Sequence, residues 1–110
     1  MDAVKFDEGA ELLNRGEFFS AHEVLEDVWR AAPAAEKKFL QGVVQVAVAL
    51  HHYSKGNLAG ACSVLTRAHH NMAAAAPAGA GKDFTAFRSA VSAWCQALQN
   101  GAPPPPLPQL

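Results

Sequence analysis

The sequence predicts an all-α protein, a single-domain up-and-down bundle of about five helices with a buried central helix at residues 34–55. Three observations lead there. Apolar residues recur three and four positions apart along most of the chain, the period of a helix with one buried face. Alternating runs of β-branched and aromatic residues, the mark of strands, are nearly absent. Gly16, Pro33, the Gly56-Asn57 pair and the stretch APAGAGKD at 76–83 then cut the pattern into helix-length pieces. Residues 1–100 read as one helical domain and 101–110 as a Pro-rich tail.

Each element has its own signal. The first helix, 3–14, places Phe6, Ala10 and Leu13 on one face and ends at Gly16. The second, 17–31, stops before Pro33, because a residue preceding proline disfavours the helical region. The third, 34–55, ends where Gly56 can supply the left-handed conformation. Asn57 caps the fourth, 58–75, whose core side is Leu58, Ala61, Leu65, Ala68 and Met72. Asp83 caps the fifth, 84–99, with the stripe Phe84, Phe87, Val91, Trp94 and Leu98. The tail GAPPPPLPQL cannot continue a helix and is expected as polyproline II or a frayed terminus.

Composition excludes several classes. A net charge of −1 with no basic stripe argues against nucleic acid as a partner. Cys62 and Cys95 lie far apart without a CxxC, so neither a disulfide framework nor a cysteine zinc site is expected. The acidic N-terminus has no apolar signal core. The stretch 39–53 is too short for a membrane span and contains Gln41, Gln45, His51 and His52, so it reads as a core helix. A cytoplasmic protein without a membrane partner follows. At 110 residues the core is modest, and pairing with a second copy would add to it, so a homodimer is favoured slightly.

The stretch FFSAHEVLEDVWR, 18–30, carries the functional question. With His22 set at zero on a helical wheel, Glu26 falls near 40°, Trp29 near 340°, Leu25 near 300°, Phe18 near 320° and Phe19 near 60°, at about 100° per residue. An ionisable pair thus shares a face with Phe, Leu and Trp, while Glu23, Asp27 and Arg30 fall outside it. A carboxylate on a buried face needs compensation. The third helix offers it, since Gln41, Gln45, Val48 and His52 form one stripe, with His51 about 80–120° away. The expected cluster is His22, Glu26, Trp29, Gln41 and Gln45. A metal would use His22, Glu26 and His51 or His52. His69 and His70, adjacent on the fourth helix, read as partly exposed.

HEVLE also invites comparison with the HExxH of zinc peptidases, with Glu26 in place of the second His. A peptidase would need a third ligand from His51 or His52, which disfavours that activity. With His and Glu ligands alone, zinc, manganese and iron all fit. If the chain is an enzyme, it is a metal-dependent hydrolase with a bound water as nucleophile and Glu26 or Glu23 as proton acceptor.

Two longer stretches, GEFFSAHEVLEDVWR and EKKFLQGVVQVAVALHHYSKGNLAGA, resemble the domain-of-unknown-function 309 family of bacteria and archaea. Its hallmark HxxxExxW corresponds to His22, Glu26 and Trp29, and the likeness spans roughly residues 5–70. The resemblance implies a compact helical domain and a suggested metal-binding role for those residues, but no reaction. It also implies a histidine at His51, whereas the wheel prefers His52, so both stay in view. Two functions compete: a metal- or small-ligand-binding domain, and a structural or protein-interaction module whose His22–Glu26 cluster only fixes helix packing.

Overall fold

The computed structural model describes residues 1–74 and 83–110. The expected Gly/Ala/Pro-rich loop and the last residue of the fourth helix lie outside them, Asp83 excepted. The described residues form five helices: α1 Ala3–Asn14, α2 Phe18–Ala31, α3 Ala34–Ser54, α4 Leu58–Ala74 and α5 Thr85–Asn100. Helices adjacent in sequence pack against each other, as short loops require of an up-and-down bundle. None is long and apolar enough to cross a membrane.

The helix boundaries follow local chemistry. Asn57 Oδ1 accepts the Gly60 N–H at 2.9 Å, a side-chain cap at the start of α4. Gly56 adopts φ 79°, which closes α3 and reverses the chain. Asp83 Oδ1 accepts the Thr85 N–H at 2.9 Å, so it caps α5 from one residue further out than the formal cap, Phe84. Hydrogen bonding with the Thr85 side chain, and then this bond from its backbone N–H, holds the Asp83 carboxyl below its ordinary value. Two ties between helices were invisible in the sequence. Lys37 Nζ donates to the carbonyls of Trp29 and Arg30, both at 2.9 Å, and so caps the end of α2 from α3. Arg88 of α5 donates to the Met72 carbonyl near the end of α4.

α3 is the central helix and packs on both α2 and α4. Phe39, Leu40, Val43, Val46, Ala47, Ala49 and Leu50 are buried. It approaches α4 closely at Gly42, where a Cβ would lie 2.5 Å from Met72 Cγ and 3.0 Å from the Ala68 carbonyl oxygen. The helix is not enclosed on every side. Gln41, Val44, Gln45, Val48, His51 and His52 remain half-buried. At about 100° per residue they form one stripe, because α2 and α4 flank α3 without closing over it.

The tail is docked rather than frayed. Trp94 Nε1 donates to the Pro106 carbonyl at 2.9 Å, and the Leu110 N–H donates to Asn14 Oδ1 at 2.8 Å. Pro108 is buried, and Leu107 and Leu110 pack against the core. The residues after Gly101 therefore return along α5 toward α1. The sixteen residues of α5 span about 24 Å at 1.5 Å each. A polyproline II strand of nine residues spans about 28 Å, enough for the return.

Candidate functional site

α2 builds most of the candidate site from residues one turn apart. His22 Nε2 lies 2.8 Å from Glu26 Oε2. The other carboxylate oxygen of Glu26 is paired with the Arg30 guanidinium. His22, Glu26 and Arg30 thus form a ladder on one line of the helix, at i, i+4 and i+8. Glu26 holds the imidazole in one orientation, and Arg30 holds Glu26.

The ladder sits at the edge of the apolar face, not within it. The side chains of His22 and Glu26 are 27% and 25% exposed. The buried arc of α2 is Ala21, Leu25 and Val28, which centres about 90° from His22 on the wheel. Phe19, expected in the core, is 56% exposed. Counting it as core had rotated the apparent apolar face toward His22. Among the described residues no polar or charged side chain is fully buried, so the compensation a buried Glu26 would need is not demanded.

Two cavities meet at His22. One, of about 310 Å3, is lined by His22, Glu23, Glu26, Asp27 and Arg30 along α2. The other, of about 160 Å3, lies between α2 and α3 and is lined by Phe19, His22, Val48, His51 and His52. The Phe19 ring joins the two helices across it, with centroids 5.8 Å from His22 and 5.6 Å from His51. Asp27 also pairs with Lys5 of α1 at 3.1 Å.

The remaining candidates divide. His51 and His52 both border the inter-helix cavity, but His51 makes the ring contact with α2's Phe19. His52 Nδ1 lies 3.4 Å from Asn57 Nδ2 at the α3–α4 turn. Both histidines thus share a cavity with His22, and His51 alone of the two adds a ring contact to α2. Gln45 turns the other way, and its Oε1 accepts Asn71 Nδ2 of α4 at 2.6 Å. Gln41, one turn earlier, is half-buried on the same side of α3. Neither glutamine lines a cavity at His22. Trp29 is also outside both cavities, half-buried against the core with the Lys37 ammonium 5.4 Å from its ring centroid. Phe19, Glu23, Asp27, Arg30 and Val48 complete the lining. Phe19 and Arg30 lie three before and eight after His22, spacings that keep residues on one side of a helix, whereas Glu23 and Asp27, one and five residues on, lay outside the face read from the sequence.

A protein metal site needs several converging donors. Two converge, His22 and Glu26, and they already bond to each other while Glu26 also holds a guanidinium. Among the described residues no group of three or more His, Cys, Asp or Glu is placed to hold a metal ion. As placed, the donor set does not fit one. Cys62 and Cys95 are both free thiols.

Comparison with known proteins gives a family and no activity. An uncharacterised protein of Aquifex aeolicus (strain VF5) is 39% identical over 61 residues, which cover 54% of this chain and 18% of that protein. The uncharacterised protein YpuF of Bacillus subtilis (strain 168) is 41% identical over 46 residues, covering 41% of this chain and 26% of its own length. The chain thus spans about a quarter or less of the curated relatives it matches. No solved structure matches. A family model described as domain of unknown function (DUF309) matches residues 6–64, which run from α1 through the groove residues of α2 and α3 into α4. With more than half of its length matched, the chain belongs to the DUF309 family.

Proposed function

We propose that this chain is a small-ligand-binding helical domain whose site is the groove between α2 and α3 around His22. The carrying observation is that the His22–Glu26–Arg30 ladder is held entirely by α2 and opens onto two cavities. A device for fixing helix register has to bridge two helices, and these bonds do not. An oriented, half-exposed imidazole beside an apolar wall suits recognition, or proton exchange with something bound there.

The lining indicates the ligand's chemistry. One end holds three carboxylates, Glu23, Glu26 and Asp27, against two cations, Arg30 and the Lys5 that pairs with Asp27 from α1, and so keeps an excess of negative charge. The other end is Phe19 and Val48. A small organic amine with an apolar body matches both ends, its ammonium toward the carboxylates and its body on the Phe19 ring. The placement of the donors favours such a ligand over a metal ion.

NMR titration with benzylamine, and with benzoate as the charge-reversed control, tests this. Benzylamine should shift the His22 and His51 ring signals, benzoate should not, and His22→Ala should abolish the response. No shift with the amine at millimolar concentration would sink the reading. Stoichiometric metal in untagged protein, lost in His22→Ala, would replace it with a metal site.

A further inference from the structure

We infer that the face of α5 around Trp94 is a reader of proline-rich segments, which the chain keeps covered with its own tail and which accepts a proline-rich segment of a partner protein. This site is separate from the α2–α3 groove and does not depend on its reading.

The recognition elements are already assembled. Trp94 is 3% exposed, and a buried indole N–H needs an acceptor. It finds one in the Pro106 carbonyl at 2.9 Å. The Tyr53 ring stands edge-on to Trp94, with centroids 5.2 Å apart and planes at 87°. Aromatic walls with a Trp donor aimed at a proline-rich carbonyl are how polyproline II segments are read. Such segments suit this mode because they lose little entropy on binding and make no internal hydrogen bonds.

The tail does not use the whole face. Beside Pro103 and Pro104 lies an open cavity of about 320 Å3, one wall of it Tyr53, Leu58, Ala97 and Leu98 of the helices and the other the chain from Gly101 to Pro104. The helical wall stays when the tail is displaced, and an incoming proline segment replaces the other. Leu58 is 56% exposed there. The tail cannot fill this space because it is tethered. Gly101 takes φ 65°, and the Ala102 N–H returns to the Ala97 carbonyl at 2.9 Å, so the chain reverses directly out of α5. A segment arriving from another protein has no tether. It can lay the same prolines along α5 and place an apolar residue, N-terminal to them, in the cavity. That extra contact is what lets it compete with a tail held at high effective concentration. A second copy's tail carries the same tether and gains nothing there.

The test uses the full chain and two synthetic peptides, LLPPPPLPQL and a control with alanines in place of the prolines. The probe is the Trp94 indole N–H resonance, identified by its loss in Trp94→Phe. The proline peptide should shift it and the alanine peptide should not. Leu107→Asp with Leu110→Asp, which undocks the tail, should tighten binding about tenfold or more by removing the competitor. Should that variant fail to fold, Asn14→Ala loosens only the Leu110 end and should tighten binding in the same direction. No shift in the parent, and none in whichever variant remains helical, would overturn the inference. So would a concentration-dependent dimer that exchanges tails and excludes the peptide.

Discussion

His22 illustrates how much one side chain's setting decides. Its ring is bonded to Glu26, yet both groups are about a quarter exposed. Exposed i,i+4 pairs contribute little to stability, typically under about 1 kcal/mol. A buried pair broken at one partner would cost about 3–5 kcal/mol. His22→Ala is therefore expected to change the unfolding free energy by less than about 1 kcal/mol in urea denaturation. A loss of several kcal/mol would restore the packing-device reading. Trp29 shows the opposite case. Its motif position suggested a site residue, and its surroundings make it part of the α2 terminus, held by Lys37.

Between helices, the decisive contact is the approach of α3 to α4. Gly42 of α3 supplies it, against Met72 and the Ala68 carbonyl. In an exposed helix Gly→Ala would stabilise by up to about 1 kcal/mol. Here the new methyl meets backbone that cannot move without shifting α4, and such overpacking costs about 1–3 kcal/mol. Gly42→Ala should therefore lower the denaturation midpoint. A raised midpoint would mean that α3 and α4 are less closely packed than described. The same α3–α4 pairing draws Gln45 to Asn71 and away from His22.

Across the molecule, the tail joins the last helix to the first. Phe6 of α1 meets Phe84 at 5.8 Å, Phe84 meets Phe39 at 4.6 Å, and Leu110 bonds to Asn14. Cys95 of α5 is buried within this core. Burial, then the neighbouring Cys62, pushes its thiol up to about 11 from 9.0. In the unfolded chain the thiol ionises near 9.0 and in the folded chain only near 11, so the folded state holds the proton longer. Its contribution to stability is complete below 9.0 and is lost as pH rises toward about 11. Stability should thus fall across that window, and less steeply in Cys95→Ala. Equal slopes in parent and variant would contradict the assignment.

The sequence by itself determined the helices, because periodicity, Pro33, Gly56 and the caps Asn57 and Asp83 are local signals. It also brought out the His22–Glu26 pair, because four residues make one helical turn. Tertiary structure decided the rest. Only the packing of α2 showed that its buried arc, Ala21, Leu25 and Val28, centres near Ala21 and leaves His22 at the rim. Only the crossing of α2 and α3 chose His51 as the ring partner of Phe19. Only the docked tail gave the Trp94 N–H its acceptor. Helical spacing says which residues share a line on one helix; which line meets a neighbour is set by how whole surfaces fit together.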